Sequence, residues 1–180
     1  YAISHVKDKI NTQSVTDLKS YIAMIYGTYN FTYSEYVDWI VAITANSFNA
    51  DRVVSINNVY SQTANSSYGS QQAAIRALWG KNYPAFGFMQ LTPEGMAQYT
   101  FSKQYTYTET GAQGANLTIG RTNSNIVTVG LGGKAAIPIL VNPSIVMPEI
   151  HGMVYYNPIA GKQNTIFNFV DGGGSMISTM

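Results

Sequence analysis

The chain has 180 residues, enough for one domain with a buried core, and its net charge is +1 from 10 basic and 9 acidic residues. Only 11% of the residues are charged, against roughly 25% in soluble domains. Lys and Arg are spread along the chain, which argues against nucleic-acid binding and polybasic membrane attachment. The composition favours a secreted or assembled protein.

Cysteine is absent, which excludes disulfides and thiolate metal ligands. The two histidines, His5 and His151, lie far apart in the sequence among few acids, so no zinc site is predicted. We expect no cofactor, no metal and no catalytic residue.

The first predicted element is a helix over residues 1–29. Ile3, Val6 and Ile10 recur at helical spacing, and Leu18, Ile22 and Ile25 continue the pattern. Gly27 is its expected stop. Because the pattern starts at the first residue without a cap, we expect the helix to continue from a missing upstream half.

Residues 30–85 are predicted to hold short helices and loops. A second helix is expected to begin after Thr32 or Ser34 and to end near residues 46–49. A short strand follows at residues 53–56. Strong helix formers at residues 71–79 predict another helix, closed by Gly80.

Residues 86–170 are predicted to form an antiparallel sheet. A buried strand over residues 84–91 leads into a short helix capped by Thr92. The β-prone runs beyond it are too closely spaced for crossover helices and lie at residues 104–110, 116–119, 126–129, 136–141, 152–156 and 165–170. The fold class is therefore α+β, with residues 1–180 as a single domain.

Two motifs resemble enzyme signatures without their partners. Residues 86–93 are similar to a segment of lytic transglycosylases, but no Asp or Glu occurs between Asp51 and Glu94 to act as the acid. Residues 130–135 match G-x-G-x-x-A, but a strand and turn follow where a dinucleotide site needs a helix. A hairpin turn is the better prediction there. A cell-wall hydrolase is therefore the least favoured alternative.

Tyr105 and Tyr107 are candidate surface-contact aromatics, since rings with a polar group suit wet interfaces. They would contact another subunit or stack on a glycan, as in a secreted carbohydrate-binding or adhesion module. The alternative is that they cover the seam between helix and sheet.

The order of these features resembles the type IVb pilins, in particular the subunits of plasmid-encoded thin pili. The resemblance rests on residues 11–27, 48–58, 86–99 and 162–169, although the two cysteines usual in that family are missing. It implies a non-enzymatic subunit of an extracellular pilus, anchored in the inner membrane before assembly.

The resemblance further implies the partners. The subunit would polymerise with other pilins and engage the pilus assembly machinery, and its head would contact a host or recipient-cell surface. The subunit-contact residues would be those on the apolar face of the helix: Ile3, Val6, Ile10, Leu18, Ile22 and Ile25.

Overall fold

The computed structural model describes residues 2–7, 14–56, 60–161, 164–170, 172 and 176–179. Almost all of them lie in fourteen β-strands, and the described residues contain no α-helix. The strands are β1 Ala2–Lys7, β2 Val15–Asn30, β3 Glu35–Ile56, β4 Tyr60–Lys81, β5 Tyr83–Ala85, β6 Met89–Gln104, β7 Tyr107–Thr108, β8 Leu117–Ile119, β9 Thr122–Ala136, β10 Ile139–Val141, β11 Ser144–Val146, β12 Glu149–Ile159, β13 Asn164–Phe169 and β14 Met176–Thr179.

The long strands form one antiparallel sheet in the order β1-β2-β3-β4-β6-β9-β12, and β5 pairs with β6. The strands of this sheet pair in the order in which they follow along the chain, so the sheet is a meander, with β7 and β8 between β6 and β9 and with β10 and β11 between β9 and β12. Strands β10 and β11 form a separate hairpin, and β14, β13, β8 and β7 form a four-stranded sheet. One 3₁₀ turn, Gln113–Ala115, lies between β7 and β8.

The predicted α+β fold is wrong, because each expected helix is a strand. Residues 1–29 contain β1 and β2, and the helix expected after Thr32 or Ser34 lies in β3. The helix at residues 71–79 is part of β4, and the one expected at Thr92 is part of β6. Tyr, Val, Ile and Thr are abundant in these segments and suit the pleated surface of a sheet. Cross-strand pairing over their full length supplies the hydrogen bonds that a helix would have formed internally.

The strand predictions agree better with the structure. The runs at residues 116–119, 126–129, 152–156 and 165–170 coincide with or lie largely within β8, β9, β12 and β13, and the pairing is antiparallel as expected. The run at 136–141 is divided between the end of β9 and β10. The hairpin turn predicted at residues 130–135 is wrong, because this segment continues β9 between β6 and β12.

Few apolar side chains are buried among the residues that the structure describes. The buried hydrophobic ones are Ala64, Met96, Ala112, Ile119 and Ala136, whereas many Ile, Leu, Val and aromatic side chains are exposed. The exposed apolar side chains are therefore the feature of the fold that needs an explanation. No helix in the described part of the chain has the length and apolarity needed to cross a membrane.

Candidate functional site

The register of the main sheet assigns every long-strand residue to one of two faces. Side chains alternate along a strand, and directly paired residues on neighbouring strands share a face. Val41, for example, pairs with Ile25 on β2 and with Ile75 on β4, and Ile75 pairs with Tyr99 on β6. Following such rows across the sheet separates an apolar face from a polar face.

The apolar face carries a continuous band that crosses β2, β3, β4, β6, β9 and β12, which we call the apolar band. It consists of four successive rows without a charged residue, built from Tyr29, Gly27, Ile25 and Ala23 on β2, Val37, Trp39, Val41 and Ile43 on β3, Trp79, Ala77, Ile75 and Ala73 on β4, Gly95, Ala97, Tyr99 and Phe101 on β6, Leu131, Val129 and Val127 on β9, and Val154 and Tyr156 on β12.

The side chains of the apolar band point outward instead of packing under another layer. Ile25, Ile43 and Leu131 are 63%, 59% and 77% exposed. A contiguous exposed apolar surface of this kind marks a contact with a membrane or a partner. Polar residues replace apolar ones at one end of the band at Gln71 and Lys103, and at the other end at Glu35 and Lys81. Beyond Glu35 and Lys81 the apolar face continues on β6, β9 and β12, with Leu91, Ala135 and Ile150.

Polar and aromatic groups border the band. At one border Trp79 donates its indole N–H to Glu35 at 2.9 Å, and Glu35 pairs with Lys81 at 3.7 Å. Near the other border the Tyr99 hydroxyl donates to Asn125 at 2.8 Å. Rings that keep their polar atom at the edge of an apolar region are typical of membrane–water interfaces.

The opposite face is polar along most of its length. Ser20 donates to Asn46 at 2.7 Å, and the Asn46 amide donates to Ser70 at 3.0 Å, so the three side chains form a ladder across β2, β3 and β4. Thr28 donates to Asp38 at 2.6 Å on the same face. Hydrogen-bonded side chains, many of them part-buried, thus cover the side of the sheet that lies behind the apolar band.

A cluster of charged and polar side chains surrounds Glu94 on the polar face. The Glu94 side chain is only 5% exposed, and its carboxylate lies 2.8 Å from Nε2 of His151 and 3.9 Å from Nζ of Lys134. The Tyr36 hydroxyl donates to the same carboxylate at 3.1 Å. These residues come from β3, β6, β9 and β12, so the cluster joins four strands of the sheet.

Gly80 makes the position of Tyr36 possible, because the Tyr36 ring lies directly over it. A Cβ atom at Gly80 would lie 2.5 Å from the ring. We therefore expect Gly80→Ala to displace the ring from Glu94 and to lower the free energy of unfolding by about 1–3 kcal/mol. Gly152→Ala is the matched control, because its Cβ would meet no atom within 4 Å. Equal stability of the two variants in a denaturant titration would contradict this account of Gly80.

Strands β3 and β4 extend well beyond the apolar band at the end where β7 and β8 lie. Phe48, Tyr68 and Tyr107 form a stack there, with ring centroids 4.8 and 4.0 Å apart. Arg52 donates to the Glu109 carboxylate at 3.0 and 2.6 Å. Burial within the stack, together with the nearby Tyr68 and Glu109, raises the pKa of Tyr107 to about 12. This extension is held together by its own contacts.

The predicted subunit-contact residues do not share a face. The register places Leu18, Ile22 and Val6 on the polar face, and Ile3 and Ile25 on the opposite face. Ile10 lies outside the described residues. The spacing that would align these residues on a helix divides the described ones between the two sides of the sheet. Whether any of them contacts another subunit stays a prediction.

The two candidate contact aromatics lie on opposite sides of the sheet. Tyr107 is half-buried in the stack with Tyr68, whereas the Tyr105 ring lies over Gly69 and under the Lys103 ammonium, which is 4.7 Å from the ring centroid. Whether either ring contacts another molecule stays a prediction. The seam between helix and sheet that they might have covered is absent from the described part of the chain, which contains no α-helix.

Sequence reasoning missed the apolar band and the Glu94 cluster. The signal was present on β6, where Ala97, Tyr99 and Phe101 alternate with Gln98, Thr100 and Ser102. A period of two over a run of this length is the pattern of a strand with one apolar face.

Comparison with known proteins gives a family for this arrangement. Residues 1–179 match the Autotransporter beta-domain family. The chain is 31% identical over 161 residues to "Outer membrane protein A" of Rickettsia conorii, and 32% identical over 161 residues to the protein of the same name from Rickettsia rickettsii. Each alignment covers 86% of this chain but only 8% and 7% of the relative, so the chain spans less than a tenth of their length. No solved structure matches.

The family match corrects the reading of the chain as a type IVb pilin. The chain is nearly all strand, so the predicted assembly helix is wrong. The family match and the relatives named as outer-membrane proteins likewise contradict a pilus fibre, the pilus assembly machinery and an anchor in the inner membrane. The secreted carbohydrate-binding module and the cell-wall hydrolase explain the match no better. The extent of the single domain, residues 1–180, stays a prediction.

Proposed function

Because this chain belongs to the autotransporter beta-domain family, we propose that it forms part of the membrane-spanning β-barrel of an outer-membrane autotransporter. The observation that carries the proposal is the apolar band on one face of the sheet, with a polar face behind it. Strands of an outer-membrane barrel present apolar side chains to lipid and polar side chains to the interior.

The dimensions of the band support this placement. On β3 the apolar face runs from Val37 to Ala45, which corresponds to the roughly 9–11 residues that a tilted strand needs to cross a bilayer. Glu35 and Lys81 lie at one border, and Gln71 and Lys103 lie at the other. Apolar positions between polar borders are what a lipid-facing surface requires.

The polar face would line the interior of the barrel. Ser20, Asn46 and Ser70 satisfy one another there, and the Glu94 cluster links four strands. An interior of this polarity accommodates water or a polypeptide segment, in keeping with the family's name. In this proposal the role of the chain is structural and non-catalytic. The side chains of the Glu94 cluster form hydrogen bonds and ion pairs with one another and so stabilise the sheet.

Edges of the sheet must be closed in such a barrel, since unpaired backbone groups are costly in lipid. In the described sheet, strand β1 pairs only with Val15–Ser20 of β2, so the outer edges of the apolar band are β2 from Tyr21 onward and β12. We propose that they pair with strands of the same β-domain that lie beyond the described sheet.

Site-directed spin labelling tests the proposal, and the absence of cysteine from this chain makes single-cysteine variants simple to prepare. We expect labels at Ala73, Ile75 and Ala77 in lipid vesicles to be more accessible to oxygen than to an aqueous nickel complex. Labels at Ala74 and Leu78 should show the reverse.

The control is a pair of labels on the extension of β4 beyond the band, at Ser66 and Ser67. Both should be accessible to the nickel complex, because neither faces lipid. Accessibility of the β4 positions to the nickel complex on both faces would reject the membrane placement.

A further inference from the structure

The apolar face contains a groove at the border of the apolar band that lies nearer to β7 and β8. Its volume is about 510 Å³, and its lining is mostly apolar. Ala23, Ala45 and Ala73 contribute the small side chains of its lining, and the larger Tyr21, Ile43 and Phe101 side chains stand around them. A surface with this outline holds a slender apolar chain better than a flat one does, because contacts form on three sides.

Cations lie next to this groove. Lys103 pairs with Gln71, which lines the groove, and with Asn123 on β9. Arg121 precedes the start of β9 and donates to the Asn123 side chain at 3.2 Å. The groove on β2, β3 and β4 is therefore continued on β6 and β9 by a border of basic and amide side chains.

The two borders of the band differ in charge. At the opposite border Lys81 is matched by Glu35 at 3.7 Å. At the groove border Lys19 lies one row beyond Tyr21, and Asp17 and Asp51 lie further out on β2 and β3. The acids of this border are thus on the β2–β3 side, whereas Lys103 and Arg121 lie on the β6–β9 side.

We propose that the groove and its basic border bind one anionic lipid, with an acyl chain over the three alanines and the headgroup phosphate between Lys103 and Arg121. The inference rests on the proposed membrane function. Gln71 and Asn123 flank Lys103 in the same row, and their amide N–H groups would donate to the same phosphate. Charge complementarity selects the lipid: a cationic border at the depth where the apolar band ends meets the layer of lipid phosphates.

Native mass spectrometry tests the site, with the protein taken from vesicles of phosphatidylcholine and phosphatidylglycerol. We expect one phosphatidylglycerol to be retained per chain in preference to phosphatidylcholine. The double variant Lys103→Gln, Arg121→Gln should retain it about 25-fold more weakly, since each cation near the membrane surface contributes about fivefold. Lys81→Gln is the matched control and should leave retention unchanged, because this cation lies at the other border.

Two further arms identify the occupant. Ala45→Phe fills the groove and should reduce retention of phosphatidylglycerol while leaving the cations in place. Glycerol phosphate in millimolar excess should not displace the lipid, because it lacks the acyl chain; displacement would indicate a simple phosphate site and overturn the proposal.

Other outcomes reject the lipid site without touching the membrane placement. Equal retention of both lipids, or unchanged retention in the double variant, would overturn it even if the spin labels on β4 still alternate. Lipid-free dimers that dissociate on Ala45→Phe substitution would assign the groove to a second copy of the chain. Loss of the alternation on β4 would instead reject the proposed function itself.

Discussion

Replacing Ile75 with Lys is expected to lower the free energy of unfolding in lipid vesicles by about 2–4 kcal/mol, the cost of a cation on a lipid-facing strand near the bilayer midplane. Ile75 is 53% exposed and lies in the row of Val41, Ile25 and Tyr99, near the middle of the apolar band. The loss should be measured as the shift of a denaturant titration with the protein in vesicles.

Two controls separate the effect of lipid from the effect of the substitution. Asn49→Lys introduces the same charge on the same face but beyond the band, where the cost should fall to about 0–1 kcal/mol. Ala74→Lys introduces it on the next residue of β4, on the polar face. A loss for Ile75→Lys no greater than that for Asn49→Lys would mean that the band does not face lipid.

The helix predicted at residues 1–29 failed for a reason that applies to the whole chain. In a globular protein apolar side chains cluster on the buried face, so spacing by three and four indicates a helix. On β2, apolar residues lie on both faces, with Ile22 and Met24 on the polar face and Ala23 and Ile25 in the band. Their combined spacing imitates a helix, although neither face alone does.

Strand length concealed the sheet as well. Strands in globular proteins usually have about 5–6 residues, whereas β3 runs from Glu35 to Ile56 and β4 from Tyr60 to Lys81. A segment of that length was divided in the sequence reading into a helix, a loop and a short strand. The shorter β8 and β13 were predicted correctly, because their lengths are ordinary and Gly and Asn mark their ends.

The Glu94 cluster was beyond reach of the sequence for another reason. Tyr36, Glu94, Lys134 and His151 are distant along the chain, and only the register of four strands brings them together. If one of these strands paired one residue out of register, all of its side chains would move to the other face of the sheet. Local patterns do not fix that register; the pairing of complete strands does.

Replacing Glu94 with Ala is expected to lower the free energy of unfolding by about 2–3 kcal/mol. The substitution removes the carboxylate that Lys134, His151 and the Tyr36 hydroxyl share. The cost stays below that of a fully buried ion pair, since Lys134 and His151 are partly exposed. Glu94→Gln should lose less, because its amide oxygen still accepts the hydrogen bond from Tyr36.

The matched control is Glu35→Ala, which breaks the more exposed pair with Lys81 and the Trp79 hydrogen bond and should cost less than Glu94→Ala. A double-mutant cycle of Glu94→Ala with His151→Ala measures the coupling directly, and we expect about 1–2 kcal/mol from the 2.8 Å contact. Additive effects would contradict a cluster that ties β6 to β9 and β12. A measurable coupling would mean that the Glu94 contact holds β6 and β12 in register across β9, from the face opposite the apolar band.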